Sequence, residues 1–301
     1  MRLALNPYKR LGGRRHAVAM FDRPGAAVDA ARGMSGWAHT AQEMEHDRAF
    51  YSDTWEGMAR AAISGSETFA AQARALEKQI AGVALATPKR AIVESPFGRP
   101  SVGAYLARDP MPCRRSTTIK TTHAPLSIVV SVNSRADVKL RTMQQRGIAI
   151  AALVQSVALQ RPVNLYISRF CSCDFSVDTN ILVRFPTAPM DSRRLAYLLA
   201  SQAFARGLFF ALHRSGKDIF AALGDDTAKN VSRSGMIGPA GGDKYSQARL
   251  CPFADDLQDY LRSDVLYIPG AYPGIGDFDA MKADPVSWIN DTVATLTKGR
   301  A

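Results

Sequence analysis

The clearest signal along the chain is the run Leu126-Ser-Ile-Val-Val-Ser-Val-Asn133, nearly all apolar and rich in β-branched residues. Such a run predicts a strand covered on both faces, as in a sheet sandwiched by helices. It ends in the polar turn Asn133-Ser-Arg-Ala-Asp137. From Arg141 to Leu159 the apolar positions recur at helical spacing, and Val163–Ser168 returns to strand character. A strand, a helix and a second strand in that order form a β-α-β unit of an open α/β sheet. Further strands are predicted at Ala17–Phe21, Ile119–Thr122, Ile181–Phe185 and Asp264–Pro269.

The remaining periodicity is helical. Residues 35–80 read as consecutive amphipathic helices, one starting at Ser52 or Asp53 as N-cap and ending at Gly65, the next opening at Ser66. Phe69, Ala73, Leu76 and Ile80 fall on one stripe of the latter, which is the pattern of a core face. Asp191 is a natural N-cap for a helix over 191–206, and Asp284 followed by Pro285 caps a last one. Prolines at 88, 96, 100, 110 and 112 break regular structure between residues 83 and 120, which reads as an ordered connector. The reading is therefore an α/β protein with a Rossmann-like open sheet and an added N-terminal helical region. Its parts are a flexible basic arm over 1–20, a helical region with the Pro-rich connector over 21–118, and the α/β domain over 119–301.

Composition adds charge. With 38 Lys and Arg against 27 Asp and Glu, the chain carries a formal +11 and attracts polyanions. Arginine dominates, and guanidinium groups suit phosphate. Arg114, Arg115, Arg135, Arg141, Arg193 and Arg194 fall near predicted strand or helix starts, where free backbone N–H groups also favour anions. They are the candidate nucleic-acid or anion contacts. No apolar run approaches the roughly 20 residues of a membrane helix, so a soluble, cytoplasmic protein is expected.

Chemical motifs are sparse. Cys113, Cys171, Cys173 and Cys251 include one C-x-C pair but no C-x-x-C, and the histidines supply no zinc spacing. His39 and His46 share a helix face best read as solvated. There is no G-x-S-x-G, no G-x-G-x-x-G and no P-loop order; the glycines of residues 232–243 read as a surface loop. No catalytic residue and no cofactor is expected.

Ligands of open sheets sit beyond the carboxyl ends of strands, here Asn133–Asp137. A strand, polar turn and helix in this order resemble the start of the von Willebrand factor A-type fold. That family places Asp-x-Ser-x-Ser there to hold a divalent cation. In this chain Asn133, Arg135 and Asp137 stand at those positions. Arg135 repels a cation, so Asn133, Asp137, Thr187 and Asp191 are only weak metal candidates, and an anion suits the strand end better. The chain also resembles an uncharacterised, phage-encoded family. Val102–Cys113, Ile128–Asn133, Arg146–Leu153, Ile181–Pro186, Asp191–Tyr197, Val265–Pro269 and Asp284–Trp288 carry that resemblance. It implies a phage or prophage origin and a place in the host cytoplasm or on the virion. It brings no activity. The expected function is non-enzymatic binding of nucleic acid, or of a viral or host protein, during replication or assembly. The alternative is an A-domain-like protein-interaction module.

Overall fold

The structure, a computed structural model, describes residues 1–5, 15–80, 90–95, 99–107, 113–118, 125–134, 138–159, 161–172, 177–187, 189–224, 257–258, 260–274 and 277–298. The predicted strand at 119–122, Arg135, Asp137 and the Gly-rich loop lie outside them. The chain divides into two units, residues 1–80 with 124–301, and residues 81–123.

The larger unit is built on a six-stranded sheet. In chain order its strands are β1 (Arg2–Leu5), β2 (Arg15–Phe21), β6 (Leu126–Ser131), β7 (Val163–Ser172), β8 (Val177–Phe185) and β9 (Asp264–Ile268). They lie in the order β1-β2-β8-β7-β6-β9. Every residue of β6 is buried, as its unbroken apolar run requires. It pairs in parallel with β7 on one side and β9 on the other. The expected α/β class holds, with two antiparallel pairs, β7 with β8 and β1 with β2. β7 and β8 are antiparallel, because only four residues join them and a parallel return needs a crossover of a dozen or more. The carboxyl ends of β6, β7 and β9 therefore share one edge, and those of β8 and β2 lie at the other.

Within the span expected as a basic arm, Arg2–Leu5 and Arg15–Met20 are strand, and residues 6–14 lie outside the described residues. β1 pairs antiparallel with β2, and β2 pairs in parallel with β8, so both belong to the sheet. Alternation explains β2: Ala17, Ala19 and Phe21 face the helices, while Val18 and Met20 face the other side. That second side also holds Val129, Tyr166, Phe170 and Leu182, with Leu257 against them.

Helices cover the first side. They are α1 (Pro24–Arg32), α2 (Trp37–His46), α3 (Arg48–Tyr51), α4 (Trp55–Ser64), α5 (Glu67–Ile80), α7 (Leu140–Ala158), α8 (Ser192–Ala200), α9 (Phe209–Arg214), α10 (Gly216–Phe220), α11 (Phe278–Ala283) and α12 (Pro285–Lys298). Thr54, not Ser52 or Asp53, caps α4: its Oγ1 accepts from Gly57 N at 3.1 Å, while Asp53 accepts from Thr54 N. Gly65, at φ +77, ends α4 in a conformation that glycine adopts without strain. The predicted helix over 191–206 is broken. Ser201 is extended, the chain bends by 65°, and a π-helical turn, Ala203–Leu208, continues into α9. Ser201 Oγ accepts from Phe204 N at 3.3 Å and so starts the new segment. Among the described residues no single helix is long and apolar enough to cross a membrane.

The smaller unit replaces the predicted connector with structure. β3 (Arg90–Ser95), β5 (Cys113–Thr118) and β4 (Arg99–Pro100) form an antiparallel sheet in that order. Pro100 is tolerated because β4 is an edge strand. A short helix, α6 (Val102–Leu106), follows β4.

Candidate anion site

Several polar groups meet at the carboxyl end of β6. Asn133 is buried, and its side chain acts as one more rung of the sheet. Nδ2 donates to Phe170 O at 2.6 Å, and Oδ1 accepts from Phe170 N at 3.2 Å. On the other side Asn133 O accepts from Ala271 N at 2.8 Å, which prolongs the contact of β6 with β9. Asn133 is thus a structural amide, and both ends of it are in use.

Arg146, one and a half turns into α7, reaches the same edge. It is 5% exposed. Its Nη2 donates to Ser131 O at 3.0 Å and to Pro269 O, so one guanidinium holds the last carbonyls of β6 and β9. Nε is buried with no hydrogen-bond partner. Among the described residues no carboxylate pairs with this group. Burial pushes its pKa down to about 10, with Tyr267 and Tyr272 opposing the shift. The guanidinium remains charged at neutral pH and has no counter-ion among the described residues, a costly arrangement in a protein interior.

A cavity of about 360 Å³ adjoins Arg146. α5 contributes Ala75 and Leu76, with the amides of Gln72 and Gln79; α7 contributes Thr142, Gln145 and Ile148; Phe278, Met281, Lys282 and Pro285 close it. Ala75, Gln72, Gln145 and Lys282 are exposed at its rim. The first turn of α7 lies beside it. The N-cap position, Lys139, makes no side-chain cap, the turn holds no acidic residue, and Arg141 is exposed. Among the described residues nothing negative in or before this turn offsets the positive end of the helix dipole.

The other sequence candidates lie elsewhere. Thr187 Oγ1 donates to Val163 O, at the start of β7, whereas Asn133 pairs with Phe170. Seven residues of strand separate these points by about 23 Å. Thr187 and Asp191 therefore cannot share a divalent ion with Asn133, for which the limit is ~8 Å. Among the described residues no three His, Cys, Asp or Glu side chains are grouped to hold a metal. Arg193 and Arg194 follow β8 and so stand at the opposite edge from Arg141. Asp191 Oδ1 accepts from the N–H groups of both, at 3.0 and 3.2 Å, and fills the anion position of α8 itself. Arg194 lies over the Phe185 ring at 5.8 Å. Arg114 and Arg115 belong to β5 in the smaller unit, with backbone partners Glu94 and Val93.

His39 and His46 are each engaged within α2. His39 Nε2 lies 3.2 Å from Glu43, and His46 Nδ1 contacts Gln42 O at 2.7 Å. Glu43 in turn holds Arg214 through two bonds of 2.7 and 2.8 Å and accepts from Tyr51 OH at 2.8 Å. The Arg214 hydrogen bond keeps the Glu43 carboxyl below the usual carboxylate range despite partial burial. This network ties α2, α3 and α9 together, a structural task.

Sequence reasoning passed over Arg146. The signal was present: it sits on one helical stripe with Met143, Ile150 and Leu153, at the head of a buried run. A charge on such a stripe requires partners. No curated protein and no solved structure matches the chain. A family model does match, over residues 12–233, a span that includes β6, α7 and Arg146 and stops short of β9 and the last two helices. That span is most of the chain, and the protein belongs to this family, DUF7192, a domain of unknown function.

Proposed function

We propose that the protein is a non-enzymatic, phage- or prophage-encoded binding protein that takes nucleic acid at the carboxyl edge of β6. The observation that carries this reading is the start of α7: an N-terminus without a side-chain cap, with Lys139 and Arg141 exposed and no acidic residue in its first turn. The net charge of +11 supports it, and the resemblance of the quoted segments to a phage-encoded family supports the origin. Phosphate is drawn to helix N-termini of this kind. At α8 the equivalent position is taken by Asp191, so Arg141 is expected to matter more than Arg193 or Arg194.

Salt titration of binding to single- and double-stranded DNA and to RNA tests the reading. Affinity should fall steeply with salt, and Arg141→Ala should weaken binding of all sequences alike, lowering the salt slope by about one. Absence of binding at low salt, or affinity indifferent to salt, overturns it.

A second reading, a protein-interaction module of A-domain type, rests on α6. Val102, Tyr105 and Leu106 expose 72%, 70% and 75% of their surface at i, i+3 and i+4. Apolar side chains grouped in this way mark interaction surfaces. Under this reading a partner protein is retained at high salt. Retention is then lost on joint Tyr105→Ser and Leu106→Ser substitution, and Arg141→Ala leaves it unchanged.

A further inference from the structure

The Arg146 cavity has properties that nucleic-acid binding does not use. A nucleic acid contacts charge on the surface; this guanidinium is almost wholly buried, with an unpartnered Nε. Ser131 O and Pro269 O supply dipoles to Nη2 but no negative charge. The cavity beside it is of a size that holds small ligands, which begins at about 300 Å³. Leu76, Ile148, Phe278 and Met281 give it an apolar body. The amide of Gln145 and the ammonium of Lys282 stand at the mouth.

We propose that this cavity binds a small monocarboxylate with an apolar chain or ring, the acid group against the Arg146 guanidinium and the apolar part along Leu76, Phe278 and Met281. Charge count selects the head group. One buried cation is neutralised by one negative charge, and pairing out of water is far stronger than at the surface. A doubly charged phosphate monoester leaves a second charge against apolar walls, which is unfavourable. An uncharged head brings the guanidinium no counter-ion. The apolar walls select the body, since each buried methylene favours binding by about 0.8 kcal/mol in transfer terms. The inference does not depend on nucleic-acid binding, and failure of the salt titration leaves it standing.

Calorimetric titration of the full chain with decanoate, decanol and decyl phosphate tests it. Decanoate is expected to bind, and decanol and decyl phosphate to bind about 10- to 100-fold more weakly, the range of one hydrogen bond to a charged group. Arg146→Gln should lose decanoate binding. Because that variant also releases two strand-end carbonyls, Ala75→Trp provides a second test: Ala75 is exposed at the rim, so its indole fills the mouth without entering the core. Ala75→Trp should keep the wild-type melting temperature and lose decanoate binding. The proposal is overturned if wild-type protein shows no decanoate binding up to about 1 mM, the weak end of ordinary ligand affinities. It is equally overturned if decanol or decyl phosphate binds as tightly, or if Ala75→Trp binds decanoate undiminished.

Discussion

Gly147→Ala is expected to destabilise the protein by about 1–3 kcal/mol, the range of overpacking in a well-packed interior, although alanine is the better helix former by about 1 kcal/mol. Gly147 lies in α7 where α8 crosses it. A Cβ there falls well inside contact distance of the Leu199 carbonyl and the Ala200 Cα. Both are backbone atoms, so no side chain can turn away to make room. The strain must separate the helices, and α7 and α8 are the layer that seals the sheet: Leu195, Leu198, Ile150 and Leu153 are fully buried between them. At about 2–4 °C per kcal/mol, the melting temperature should fall by about 2–12 °C. Thermal denaturation followed by circular dichroism measures this. An unchanged or raised melting temperature would show that the crossing relaxes freely and that the close approach is not a constraint.

This crossing also shows where a sequence stops informing. Gly147 reads as a mild defect inside a helix, and its cause is a carbonyl more than fifty residues away. β6 was legible because burial on both faces leaves an unbroken apolar run. The direction of β8 was not, because side chains alternate in the same way in parallel and antiparallel strands. β1 has only four residues, and it gains its place from pairing with β2 rather than from its own pattern. β3 and β5 were masked by the surrounding prolines, which punctuate the smaller unit without preventing its sheet.

The candidate site was half legible. A ligand position at the carboxyl end of β6 follows from the β-α-β pattern, and Arg135 argued for an anion there. The residue that builds the site is Arg146, whose acceptors come from β6 and from a strand end 123 residues later. Long-range partners of that kind leave no local trace. Thr187 and Asp191 do not join Asn133 for a related reason: strand reversal sends them to the far edge, while Asp137 lies outside the described residues.

Asn133→Asp, which puts a carboxylate at the end of β6, is expected to cost about 3–5 kcal/mol at neutral pH and to create no Mg²⁺ site. The native amide both donates to Phe170 O and accepts from Phe170 N. Aspartate keeps the acceptor, loses the donor, and sets a negative oxygen against a carbonyl in a buried position. The Arg146 guanidinium is engaged toward β9 through Pro269 O, whereas this side chain faces β7. Burial and the facing carbonyl must then raise the folded-state pKa of the new carboxyl above its unfolded value of about 3.9. A proton restores the missing donor, so the protonated form is the better tolerated. The deficit relative to wild type should therefore be smallest below about pH 4, grow as pH rises toward the raised folded-state pKa, and level off above it. Paired denaturant titrations of the two proteins at about pH 4 and pH 7 measure the difference. A deficit of equal size at both pH values would mean that lost geometry, not buried charge, governs this position. Recovery of stability on adding Mg²⁺ would establish a cation site at the end of β6, against the anion preference inferred from Arg135 and Arg146.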